Sequence, residues 1–139
     1  MKKIRAIDLI LFVFALVLTV GTALFFHACG PKSDGSWMLC HWAERVVLLL
    51  GGFAAVLAAA KIFAGNEGVK LGLAAAVFLA ALSAVFVPGR LIPLCKMPGM
   101  ECGSIFQPAI LSISLLLSAL ALVDGVLLFR QVYLKKSEN

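Results

Sequence analysis

With 139 residues, 63% of them hydrophobic and 14% charged, and a mean hydropathy of +1.07, the chain carries too much apolar surface for a soluble domain of its size. Its net charge of +5 is gathered at the ends of apolar stretches, which argues against nucleic acid as a partner and for topology signals and lipid head-group contacts. No phosphate-binding glycine loop, His-Glu-x-x-His or Gly-x-Ser-x-Gly occurs, so nothing supports nucleotide or hydrolytic chemistry, and no catalytic residue is assigned.

Four stretches are long enough to cross a hydrocarbon core of about 30 Å, which needs about 20 helical residues. They are expected over 6–28, 43–64, 69–88 and 108–129, joined by outer loops at 29–42 and 89–107, in one integral membrane domain. The expected fold is an all-α membrane protein: a four-helix transmembrane bundle with a small disulfide-tied extracytoplasmic cap.

The basic start, Lys2, Lys3 and Arg5, leads into an apolar run longer than a usual signal-peptide core, so the first span is read as retained. Asp8 lies one turn inside it, where the helix dipole favours a negative charge. The first outer segment follows. Gly30-Pro31 and Ser33-Asp34-Gly35-Ser36 are turn signals. Trp37 and Trp42 suit an interfacial belt, and Arg45 begins the second span as a further anchor.

The second span carries Gly51, Ala55 and Ala59 at four-residue spacing, and the third carries Gly72, Ala76, Ala80 and Ala84. Such rows let helix backbones approach in lipid, and close packing of spans two and three is the expected use, with a homo-oligomeric interface as the alternative. Gly65-Asn66-Glu67-Gly68 turns the chain between them. Arg90 is read as a head-group anchor. Prolines break the second outer segment repeatedly. In the fourth span Asp124 has Lys61 and Arg130 as expected partners, and the tail 131–139 is expected to fray.

Eight basic residues (Lys2, Lys3, Arg5, Lys61, Lys70, Arg130, Lys135, Lys136) flank one side and four (Lys32, Arg45, Arg90, Lys96) the other. The positive-inside rule then places both termini in the cytoplasm and both outer loops outside it. Those loops, with His27 at the end of the first span, hold every cysteine, every histidine and every methionine except Met1. In an oxidising compartment four cysteines favour disulfides. Cys29–Cys40 and Cys95–Cys102 would each close a short loop, and a cross-loop pairing such as Cys29–Cys102 is the other arrangement. No cofactor is expected on this reading.

Disulfides leave His27, Met38, His41, Met97 and Met100 unexplained. Together with Cys29, Cys40, Cys95 and Cys102 they form a donor set suited to copper or another soft ion, the first alternative. The second is thiol–disulfide exchange. Four spans with a cysteine pair in each outer loop resemble the bacterial membrane enzymes that make disulfides with quinone, although those use Cys-x-x-Cys and this chain has none.

The motifs Cys29-Gly30 … Asp34-Gly35-Ser36-Trp37-Met38-Leu39-Cys40-His41-Trp42 and Cys95-Lys-Met97-Pro98-Gly-Met100-Glu-Cys102 resemble the bacterial family catalogued as domain of unknown function 4418. The resemblance implies a small four-span inner-membrane protein without an established activity. Its members accompany exporter-type ABC transporters, which implies an accessory role. The expected partners are thus the lipid bilayer and a membrane protein such as a transporter, and the expected role is non-enzymatic.

Overall fold

The computed structural model describes residues 5–26, 30–94 and 102–139, with only the backbone at Cys102. It is all-helical apart from its connections. Helix α1 spans Ala6–Leu24, α2 Leu39–Phe63, α3 Glu67–Phe86 and α4 Gln107–Ser137. A π-helical turn, Cys102–Phe106, runs directly into α4. All four helices are long and apolar enough to cross a membrane. The chain therefore reads as a multi-pass membrane protein.

The bounds differ from the sequence reading in ways that matter for function. Helix α1 ends at Leu24, four residues early, because Phe25 and Phe26 both donate their N–H groups to Gly21 O and close the helix there. Helix α2 begins at Leu39, so Cys40, His41 and Trp42 lie on its first turn and not in a loop. Helix α4 continues through Ser137, so the tail is helical where fraying was expected. Its intact backbone bonds and good helix formers (Leu134, Lys135, Lys136) carry it on.

The helices form a ring in which α1 packs on α2, α2 on α3, α3 on α4 and α4 on α1. Lys61, near the end of α2, meets Asp8 at the start of α1, and Lys70, near the start of α3, also meets Asp8. Neighbouring helices are therefore antiparallel. One end of the bundle, here the terminal end, holds the first turn of α1, the α2–α3 turn and the last turns of α4. The other, here the cysteine end, holds residues 30–38, 87–94 and 102–106.

Alanine dominates the core. Ala15, Ala43, Ala54, Ala55, Ala58, Ala74, Ala80, Ala81, Ala84 and Ala121 are buried, with Leu11, Leu18, Val47, Val77, Ile110 and Leu117 filling between them. Small side chains let backbones approach, which in lipid substitutes for a hydrophobic driving force. Gly51 marks a close approach of two helices. A Cβ placed there would lie 2.9 Å from Thr19 Oγ1 and 3.4 Å from Thr19 Cα on α1. The glycine of the α2 row thus meets α1, where packing on α3 was expected. On α3, Ala80 and Ala84 are buried, but Gly72 is exposed and a Cβ there would meet nothing.

Both connections at the cysteine end turn through glycines with positive φ. Gly35 (φ 84°) closes a turn in which its N–H donates to Lys32 O at 2.9 Å and Lys32 N–H donates to Ser36 O at 2.9 Å. Gly89 (φ 84°) follows α3, and the Gln107 amide packs so closely on it that a Cβ would lie 2.8 Å from Nε2.

Candidate functional site

Chemistry-bearing side chains gather at both ends of the ring. At the terminal end every helix contributes one charged residue to a single buried layer: Asp8 from α1, Lys61 from α2, Lys70 from α3 and Asp124 from α4. Asp8, Lys61 and Asp124 are completely inaccessible. The Lys61 ammonium donates to Asp8 Oδ1 at 2.6 Å and to Asp124 Oδ2. Lys70 Nζ lies 3.6 Å from Asp8 Oδ2, and Arg5 Nη2 lies 3.4 Å from Asp124 Oδ1. The lysines cross the two diagonals of the ring, α2 to α4 and α3 to α1, where helices do not pack directly. Long stems reach across and the charged heads meet in the middle.

An ionised group inside a span is costly unless it is paired. Removing one partner of a buried pair leaves an uncompensated charge and costs about 3–5 kcal/mol. The layer therefore constrains which helix faces inward and at what height. Sequence reasoning found part of it. Asp124 meets Lys61 as expected, but Arg130 is exposed and Arg5 takes the place expected for it. Asp8 is not merely a dipole-favoured first-turn residue, and Lys61 and Lys70 are not free flanking charges. The available signal was two acids and two lysines at matching depth in four antiparallel spans.

Toward the cysteine end the layer is closed off by Leu11, Ala15, Leu18, Ala54, Ala58, Val77, Ala81, Leu117 and Ala121, all essentially inaccessible except to one another. Hydroxyls interrupt this core without linking across it. Thr22 Oγ1 donates to Leu18 O at 2.6 Å and Ser118 Oγ to Leu115 O at 2.9 Å, each within its own helix. The Ser114 hydroxyl is buried without a hydrogen-bond partner.

At the cysteine end an aromatic group stands on and beside the first turn of α2. The His41 ring stacks on Trp37 with centroids 4.1 Å apart and planes 22° apart. It meets the edge of Trp42 at 5.9 Å and 73°. Trp37, Leu39 and Trp42 are each more than half exposed. Arg45 and Arg90 are exposed as well, as anchors would be. Before Trp37, the Asp34 carboxylate accepts from Ser36 N–H at 3.0 Å and from Ser36 Oγ at 2.7 Å. These two bonds, the hydroxyl's first, hold the Asp34 carboxyl below its ordinary value.

Cys40 is buried on α2, one residue before His41, and Met38 is the residue that caps α2. His27, Cys29, Cys95, Met97, Met100 and the side chain of Cys102 lie outside the described residues. Each proposed disulfide pairing therefore has at least one cysteine outside the described residues, and of the soft-donor set only Met38, Cys40 and His41 are placed. Among the described residues no group of three or more His, Cys, Asp or Glu is placed to hold a metal ion.

A family model described as "Domain of unknown function (DUF4418)" matches residues 11–127. No curated protein and no solved structure matches the chain. The family match covers Lys61, Lys70 and Asp124 of the charged layer and the whole aromatic group.

Proposed function

The chain belongs to the DUF4418 family, and from that premise we propose that it is a non-enzymatic accessory subunit whose cysteine end meets a partner membrane protein, an ABC-type exporter being the class the family resemblance suggests. The carrying observation is the Trp37–His41–Trp42 group, two half-exposed tryptophans braced by a histidine at the rim of the bundle. Exposed tryptophans on a rigid base are the residues that dominate protein interfaces. The dry alanine-rich core favours a scaffold over a conduit. In this reading the bacterial inner membrane holds the chain with both termini in the cytoplasm. Disulfides tie the two outer connections.

A photoreactive amino acid at Trp37 or Trp42 tests it in intact membranes. One discrete adduct with another membrane protein is expected there, and none from the lipid-facing position Leu49. Adducts to lipid alone at all three positions would remove the proposal. The soft-metal and disulfide-exchange alternatives rest on the sequence. Intact mass under non-reducing conditions with metal analysis separates them: four free thiols with stoichiometric copper favours the first, and a trapped mixed disulfide with a substrate protein favours the second.

A further inference from the structure

The terminal end carries a second polar feature that the charged layer does not use. Helix α4 is 31 residues long against 19 for α1 and 20 for α3. Asp124 lies level with Asp8 and Lys70, so the 13 residues from there to Ser137 run about 20 Å further at 1.5 Å per residue. They pass beside the α2–α3 turn, and a cavity of about 750 Å³ opens between the two. Gly65, Asn66, Glu67 and Gly68 form one wall, and Lys135 and Lys136 stand on the other.

Depth identifies what can enter. Helices α1 and α3 are each about 30 Å long, the thickness of the hydrocarbon core. The turn that begins α3 therefore lies just outside the hydrocarbon, at the level of lipid head groups, and the cavity lies with it. The two lysines have no ion-pair partner among the described residues. The end of α3 is not itself the attraction, because Asn66 Oδ1 already accepts the Gly68 N–H at 2.9 Å. Two unpaired ammonium groups outweigh the single carboxylate of Glu67. The cavity of about 750 Å³ is large enough for a bulky anion.

We propose that this cavity is a binding site for the anionic phosphate of an acidic phospholipid, held by Lys135 and Lys136 against the α2–α3 turn. The lipid chains run down beside α3 and α4, where Leu71, Ala75, Phe78, Leu122, Gly125 and Phe129 line an almost wholly apolar furrow. The site does not depend on which protein meets the cysteine end.

Native mass spectrometry of the full chain in an uncharged maltoside detergent tests the site, with phosphatidylglycerol and phosphatidylcholine of identical chains as probes. One phosphatidylglycerol per chain is expected to be retained in preference to phosphatidylcholine. K135Q/K136Q should weaken retention by at least about tenfold, since a basic side chain near an anionic surface contributes appreciably each time. Glu67→Gln should strengthen it, an increase that loss of fold cannot imitate, and Arg90→Gln at the opposite end should leave it unchanged. Equal retention of both lipids, or wild-type retention by K135Q/K136Q, would overturn the proposal. Displacement of phosphatidylglycerol by millimolar inorganic phosphate would overturn the lipid as the source and leave a free-phosphate site.

Discussion

Lys61 is the residue on which the terminal end turns. Its ammonium is shared between Asp8 and Asp124, all three being inaccessible. Lys61→Met would leave two buried carboxylates with only Lys70 and Arg5 nearby, and a loss of about 3–5 kcal/mol is expected. The quadruple change Lys61→Met, Lys70→Met, Asp8→Asn, Asp124→Asn removes the four charges of the layer together and should recover much of that loss. Unfolding in mild detergent, followed by circular dichroism, reads both. If the single and quadruple variants are equally destabilised, side-chain volume and not charge is what Lys61 supplies. At the other end Asp34 carries a pH dependence. Its carboxyl is held below the ordinary value of 3.8 by Ser36. A depressed carboxylate adds stability above its unfolded pKa, and that contribution is lost as pH falls through the folded one. The turn 32–36 should therefore stay intact at neutral pH and loosen only under acid below the usual carboxylate range. Carbon-detected NMR titration of Asp34 should show the low midpoint, and Ser36→Ala should return it toward 3.8.

Among the elements, the α1–α2 pair is closely fitted at Gly51. Thr19 Oγ1 donates to Ala15 O at 2.9 Å, which fixes it in the position that a Cβ on Gly51 would need. Gly51→Ala should cost about 1–3 kcal/mol, as overpacking does, and Thr19→Ala in the same chain should return part of it. Full additivity of the two changes would mean that they do not touch. The row Gly51, Ala55, Ala59 was legible in the sequence as a packing face, because four-residue spacing places small residues in one line on a helix. Which neighbour the face meets was not legible, since α1 and α3 both flank α2 in the ring. The start of α2 was misplaced for a similar reason. Trp37 through Trp42 is compatible with either an interfacial loop or a helix entry, and composition does not decide between them. The backbone does, placing Cys40 inside and His41 against Trp37.

Across the whole molecule, four spans and their hairpin order could be read from hydropathy because lipid admits so few backbone solutions. The charged layer could not be read as a unit, because it depends on four residues from four helices reaching one height. Its existence changes the meaning of the charge asymmetry. Of the eight basic residues counted at the terminal end, Arg5, Lys61 and Lys70 are drawn into ion pairs with Asp8 and Asp124. Insertion is biased by basic residues and hardly by acidic ones, so all eight act while the helices enter the membrane. Only after the helices assemble do the acids neutralise part of that charge. On the proposed orientation, with both termini in the cytoplasm, the lysines and arginines would set the direction of insertion and the layer would retain it, since reversing one helix would carry an unpaired charge to the opposite end. A fluorescent protein fused after Asn139 should therefore fold and fluoresce in the cytoplasm, while alkaline phosphatase at the same point should be inactive. Removing the charges of Lys2, Lys3, Lys135 and Lys136 together should produce a mixed population. Adding Asp8→Asn and Asp124→Asn to the native sequence should lower stability without altering the fusion pattern. If the acid substitutions alone invert the reporters, the layer acts during insertion and not after it.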